Sequence, residues 1–261
     1  MPAELQARRH DQSLILVMSN PDACNTLHAD MYAAAIETLS TAERDDSVRT
    51  VVLTGANDCF CGGANPGELL ERRSQPTSDR SDALENLYRW IEALRDCPKP
   101  VIAAVEGAAV GAGFSLALAC DFIVAGASAT FAMDYVRIGL TPDAVGAWFL
   151  QHALPRQLTS EMLLEGKPVT ATRMHQFGIV NRLVADGTAL DASLAWGETL
   201  AALSPSAIER NKALINAAAT GTVESAFETG KRQYIESLQH RDALEGITAS
   251  LQNRPARYRQ I

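Results

Sequence analysis

The sequence predicts an α/β fold. Strand–turn–helix units recur along the first two thirds of the chain, while helical patterns dominate the last third. Of the 261 residues, 47% are hydrophobic, enough for one large core with or without an appendage, and no repeat or low-complexity tract interrupts them. The change of pattern divides the chain into a core over residues 1–195 and a helical region over 196–261.

Leu14 to Met18 is an apolar run closed by the turn Asn20-Pro21-Asp22, the pattern of a buried strand. Leu27, Met31, Ala35, Ile36 and Leu39 then recur at helical steps. A second strand, Val48 to Leu53, ends at Thr54-Gly55, and the loop CFCGGA and a short helix, PGELLERR, follow. The polar stretch SQPTSDRS, residues 74–81, is expected to be a mobile surface loop. An amphipathic helix from Asp82 to Asp96 leads through Pro98-Lys99-Pro100 to the strand Val101 to Val105. Further on, strands are expected from Phe122 to Ala125 and Thr130 to Met133. Helices are expected from Ala144 to Ala153, Ser160 to Leu164, Ala171 to Phe177, Leu190 to Leu203 and Pro205 to Ala218.

A formal net charge of −8 without a basic stripe opposes a nucleic-acid partner, and the pairs Arg8-Arg9 and Arg72-Arg73 read as solvated surface. Cys24, Cys59, Cys61, Cys97 and Cys120 form an odd set with no C-x-x-C, so free thiols are expected rather than a disulfide framework or zinc site. Five scattered histidines lack metal-binding spacing, and no metal is expected. The apolar run SLILVMS near the start has no small-residue cleavage pattern after it, which places the protein in the cytoplasm as an expectation.

Residues 101–121, VIAAVEGAAVGAGFSLALACD, admit four readings. Twenty apolar residues match a membrane helix in length, but Glu106 and the glycines sit mid-run, and a strand, a turn and a buried helix explain them without a membrane. A dinucleotide G-x-G-x-x-G needs a glycine where the chain has Leu116. Gly113-Phe-Ser115-Leu-Ala117 falls one residue short of the G-x-S-x-G nucleophile elbow; Asp143 with His152 or His175 could complete a triad, but Ser115 reads rather as a cap or a packed small residue. The fourth reading is a helix starting after Gly111-Ala112-Gly113, whose free amides and dipole would bind an oxyanion.

A second loop has the same design. In CFCGGANPGE, Asn65 suits an N-cap, Pro66 the first helical position and Glu68 a capping box, with Gly62, Gly63 and Ala64 as bare backbone before the helix. Together these segments resemble the enoyl-CoA hydratase/isomerase (crotonase) family: FCGGANPGEL is similar to its F-C-A-G-A-D-L-x-E-L, and KPVIAAVEGAAVGAGFSLALACD to its K-P-V-I-A-A-V-x-G-x-A-x-G-G-G-x-E-L-A-L-A-C-D. NPDACNTLHADM, EGKPVTATRMHQFGIVNRLV and SPSAIERNKALINA agree in collinear order.

The resemblance implies a spiral of strand–strand–helix turns over 1–195, with a C-terminal helical region used for trimerisation, as a homotrimer or a dimer of trimers. It implies acyl-coenzyme A thioesters as substrates, with no separate cofactor and no membrane partner. The oxyanion amides fall on Ala64 and Ala112, and coenzyme contacts on Ala23, Cys24 and Asn65, with Arg254 meeting the phosphates across a subunit contact. The two glutamates of the family's hydratases fall on Ser115 and Tyr135, neither a carboxylate, which counts against the usual addition of water. Asp143, in GLTPDAVG, matches an aspartate of some isomerases and is expected to shuttle a proton, in an apolar pocket with Trp148 and Phe149. Without the resemblance Asp143 would read as an N-cap, and Tyr135 as core or as a donor. The expected activity is double-bond isomerisation of an enoyl-CoA in fatty-acid or aromatic-acid catabolism. Hydratase-type lyase, dehalogenase or decarboxylase chemistry, and a catalytically degenerate acyl-CoA-binding subunit, stand as alternatives.

Overall fold

The computed structural model describes residues 3–258; positions 1–2 and 259–261, the outer ends of the two expected ranges, lie outside the described residues. In chain order the first elements are β1 (Glu4–His10), β2 (Ser13–Ser19), a 3-10 turn (Pro21–Ala23), α1 (Ala29–Arg44), β3 (Thr50–Gly55), α2 (Pro66–Arg72) and α3 (Thr77–Asp96). Next come β4 (Val101–Val105), β5 (Ala108–Val110), α4 (Ala112–Ala119), β6 (Phe122–Gly126), β7 (Thr130–Ala132) and a second 3-10 turn (Asp134–Ile138). The remainder is α5 (Gly146–Ala153), α6 (Arg156–Glu165), β8 (Val169–Thr170), α7 (Ala171–Gln176), β9 (Arg182–Val184), α8 (Ala189–Ala201), α9 (Pro205–Ala218), α10 (Val223–Gln239) and α11 (Arg241–Leu251).

Six strands form one sheet in the order β1-β2-β3-β4-β6-β9, parallel except for the β1–β2 hairpin. The two-residue period of a strand sorts its side chains between two cores. Leu14, Leu16, Met18, Val51, Leu53, Val101 and Ala103 face a main core with Met31 and Leu39 of α1, Trp90 and Leu94 of α3 and Phe114 of α4. Ile15, Val17, Val52, Ile102 and Ala104 face the other way, onto Ala189 and Leu194 of α8. Both faces are covered, and β2 to β4 accordingly read as continuous apolar runs. A smaller sheet, β5-β7-β8, stands apart from the first.

The apolar run of residues 101–121 is thus two strands and a helix. β4 belongs to the large sheet and β5 to the small one, and the chain changes sheet at Gly107, φ +59°, where a Cβ would stand 2.1 Å from the Asp58 carbonyl oxygen. No described helix is long and apolar enough to cross a membrane.

One element went unread and three expectations need correction. Charged ELQARRH forms β1, an exposed edge strand whose side chains gave no apolar alternation to read. Much of SQPTSDRS is helical, because α3 begins at Thr77 after Pro76. The helix expected from Ala144 begins at Gly146, because Ala144 and Val145 both take left-handed backbone, φ 51° and 58°. Cys24 and Cys59 are joined by a disulfide, with Cα atoms 5.7 Å apart, instead of standing as free thiols. Their separation of 35 residues carries no motif; pairing of β2 with β3 brings the loops after both strands together.

Candidate active site

Two glycine loops lie back to back. Cys61 bridges Ala109: the Cys61 N–H donates to the Ala108 carbonyl at 2.9 Å and the Val110 N–H to the Cys61 carbonyl at 2.9 Å. Contact is too close for side chains. A Cβ on Gly63 would meet the Val110 carbonyl oxygen at 2.6 Å, and one on Gly113 would meet Cys61 atoms at 2.6–2.7 Å. Glycine at both positions therefore sets the spacing that brings Ala64 and Ala112 together. Gly111 takes φ +54°, so Ala112 starts α4 with helical backbone and avoids the left-handed region. No described acceptor takes the N–H of Ala64 or of Ala112, and that of Ala112 lies at the positive end of α4. Asn65 caps α2 by accepting from the Gly67 N–H at 2.8 Å. Glu68 does not close a capping box; it turns to Arg72 at 3.2 Å.

Asp143 reaches this place through Tyr135. The buried Tyr135 hydroxyl donates a short hydrogen bond to Asp143 Oδ1 and would lie 3.1 Å from a Cβ on Gly111, the residue before Ala112. Burial raises the Asp143 carboxyl above the ordinary carboxylate range, opposed by the Tyr135 hydrogen bond and the charge of Arg72. Burial and the neighbouring Asp143 charge also push the Tyr135 phenol up, so it remains a donor at neutral pH. Asp143 caps no helix: its carbonyl accepts from the Gly146 N–H at 3.1 Å, and two non-glycine left-handed residues separate it from α5. A β-branched valine at φ 58° is strained, and strain of this kind gathers at functional sites.

Sequence spacing missed a polar wall beside these groups. Arg72, read from the sequence as solvated surface, is 22% exposed, pairs with Glu68 and lines the same cavity as Tyr32. Burial raises Tyr32 to about 12 against the pull of Arg72. Tyr32, Arg72 and Glu68 line a cavity with Leu27, Ala64, Asn65 and Leu69 whose volume, about 10 Å³, admits roughly one water molecule. The one legible signal was the i,i+4 spacing of Glu68 and Arg72 in PGELLERR.

Other expected residues sit elsewhere or play other parts. Ser115 is fully buried inside α4, caps nothing, and its Oγ has no hydrogen-bond partner. The triad does not assemble, since His152 Nδ1 lies 2.8 Å from the Trp148 carbonyl and His175 Nδ1 lies 2.7 Å from that of Val180. Trp148 packs on Phe149 and His152 with Arg95 over its ring, a cluster of its own instead of the expected wall of an Asp143 pocket. Arg254 pairs with Glu245 at 2.7 Å. Cys24 is exposed beside half-buried Ala23, and its carbonyl accepts from the Gly62 N–H at 2.8 Å. A larger cavity, about 350 Å³, lies between α9 and the ends of α4 and β6, and neither Asp143 nor Tyr135, Ala64 or Ala112 lines it. Among the described residues, the metal-capable cluster of His10, Asp11 and Glu198 is fully exposed and shares no residue with the site.

Two free backbone amides, with the Tyr135–Asp143 pair packed against the residue before one of them, form an arrangement that has relatives. The family model for enoyl-CoA hydratase/isomerase matches residues 9–260. The 1,2-epoxyphenylacetyl-CoA isomerase of Escherichia coli (strain K12) is 32% identical over 94% of this chain and 94% of its own length. The 2,3-dehydroadipyl-CoA hydratase of the same strain is 30% identical over 97% of each. The crystal structure of an enoyl-CoA hydratase from Polaromonas sp. JS666 superposes with a TM-score of 0.96 at 42% identity, covering 98% of this chain and 100% of that one. A match over almost the whole length in sequence and in fold makes this chain a member of the enoyl-CoA hydratase/isomerase family, whose enzymes act on acyl-CoA thioesters.

Proposed function

We propose that the protein is an enoyl-CoA double-bond isomerase. The thioester carbonyl oxygen would accept from the N–H groups of Ala64 and Ala112, which stabilise the enolate formed when a proton leaves carbon; one such donor is typically worth about 3–4 kcal/mol. Asp143 removes that proton with its carboxylate and returns it at the other end of the dienolate, and Tyr135 holds the group by one oxygen so that the other faces the substrate. The observation that carries this reading is a half-buried carboxyl with raised affinity for protons, tied through Tyr135 to the loop that presents Ala112. The buried, unpartnered Ser115 supports it further, because no carboxylate stands where a hydratase's first glutamate would.

The coenzyme is assigned to Ala23, Cys24, Gly62 and Asn65, with Arg254 at its phosphates. The acyl group enters by displacing α2, none of whose residues is buried. The working form is a homotrimer in the cytoplasm, with fatty-acid or aromatic-acid breakdown as its setting. Incubation with a 3-enoyl-CoA should yield the conjugated 2-enoyl-CoA, followed by absorbance of the conjugated thioester. Asp143→Asn should reduce that rate by about 10²- to 10⁴-fold; turnover equal to the parent would sink the assignment. Hydration is a second reading, because Glu68 lines the same cavity as Ala64 and could serve as another carboxylate. It predicts a 3-hydroxyacyl-CoA product and loss of that product in Glu68→Gln.

A further inference from the structure

The disulfide lies beside the oxyanion loop, and the five cysteines divide by position. Cys24 is exposed and Cys59 half-buried, whereas Cys61 and Cys97 are buried and Cys120 is half-buried. Burial pushes the Cys61 thiol up to about 12 and raises Cys97 and Cys120 as well, so these three resist ionisation and exchange. The bridged pair is the part of the cysteine set open to solution thiols.

What the bridge holds is specific. Cys24 lies at the turn after β2 and Cys59 in the loop after β3. Between them run the hydrogen bond from the Gly62 N–H to the Cys24 carbonyl, 2.8 Å, and that from Asn25 Nδ2 to the Cys59 carbonyl, 2.6 Å. One step further along, the Leu27 N–H donates to the Gly63 carbonyl at 2.8 Å, immediately before Ala64. The cross-link therefore ties the turn to the segment that presents the Ala64 amide. Hydrogen bonds alone leave that segment free to open locally, and a covalent tie removes the open states.

We propose that Cys24 and Cys59 form a reversible thiol-modification site that takes a low-molecular-weight disulfide of the glutathione class and, once oxidised, clamps the Ala64 loop. Exposed Cys24 reacts first. Its thiolate attacks one sulfur of glutathione disulfide, a mixed disulfide forms on Cys24, and one glutathione leaves as thiolate and takes a proton. The Cys59 thiolate then attacks the Cys24 sulfur, closing the Cys24–Cys59 bond and releasing the second glutathione. Two protein thiols have lost two electrons and two protons, and one glutathione disulfide has become two glutathione molecules. The catalytic consequence rests on the enolate reading above: oxidation should raise turnover by preorganising Ala64.

The test uses the full-length chain, reduced and then equilibrated with glutathione disulfide, with alkylation and peptide mapping under non-reducing conditions. Cys24 and Cys59 should be linked, with Cys61, Cys97 and Cys120 alkylated only after denaturation. Hydrogen exchange in the peptide holding Gly62, Gly63 and Ala64 should slow by about threefold or more on oxidation. Cys59→Ser should stop at the mixed disulfide on Cys24 and gain no protection. If both cysteines stay reduced, or if they link with loop exchange unchanged, the proposal is overturned. Loss of α-proton exchange in both redox forms, with loop protection intact, would instead overturn the enolate reading and leave the clamp standing.

Discussion

Asp143 faces two opposed influences, and their balance sets what the site can do. Burial raises its affinity for protons while Tyr135 and Arg72 lower it. Removing the phenol's hydrogen bond should therefore move the carboxyl further up: Tyr135→Phe should lower kcat and shift the acid limb of the pH–rate profile to higher pH. The stability effect of Asp143 has a fixed sign. With the folded value raised, its contribution is complete below the unfolded value of about 3.9 and is lost as pH rises through the folded value. Asp143→Asn should therefore melt at higher temperature than the parent at pH 7, even as its turnover falls. Ser115 gives an independent check. Its hydroxyl is buried without a partner, so Ser115→Ala should stabilise the fold by about 1 kcal/mol in denaturant titrations and leave α-proton exchange intact.

The two loops and the approach to α5 matter as units. Gly63→Ala places a Cβ 2.6 Å from the Val110 carbonyl at φ +80°, so the contact between the loops must open and Ala64 must move. A stability loss of about 1–3 kcal/mol is expected, together with a fall in kcat that exceeds any change in KM. Val145 is the opposite case: Val145→Gly relieves left-handed strain and should stabilise by about 0.5–1 kcal/mol after the entropy cost of glycine. A calorimetric midpoint that does not rise would refute that account of the loop. These features also mark where the sequence could be read. Apolar runs buried on both faces exposed β2, β3 and β4, and Asn65-Pro66 marked the start of α2. The left-handed pair at Ala144 and Val145 was hidden, because both residues are good formers of ordinary secondary structure and only tertiary context forces φ positive. β5 was hidden inside an apolar run that also held a strand and a helix.

Across the whole molecule, pairing of parallel strands explains which site residues could be found from spacing. Ala64 and Ala112 each sit in a self-contained glycine loop leading into a helix, and those loops were legible locally. Tyr32, Arg72 and the Cys24–Cys59 bridge meet only after β2, β3 and α1 have packed, and no short motif records that. A partly buried ion pair ties the C-terminal helices to this body: Lys212 Nζ on α9 donates to Asp121 Oδ2 at 2.6 Å and to the Lys99 carbonyl at 2.9 Å. Lys212→Met leaves Asp121 paired with the Val101 N–H at 2.7 Å and should cost about 1–3 kcal/mol in chemical denaturation. Beyond it, α10 and α11 expose Phe227, Tyr234, Leu238, Leu244 and Leu251, each more than half accessible, the apolar face expected of a trimer contact. Sedimentation equilibrium should give three or six times the 28.0 kDa chain mass; a monomer at micromolar concentration would contradict that assembly. The central claim, enolate formation between two amides and Asp143, is tested most directly by proton exchange at the carbon next to the thioester. A non-isomerisable acyl-CoA is incubated in deuterated water and its mass followed. The account predicts deuterium at that carbon with the parent protein and incorporation slower by about 10²-fold or more with Asp143→Asn; equal incorporation by both, or none by either, would contradict it.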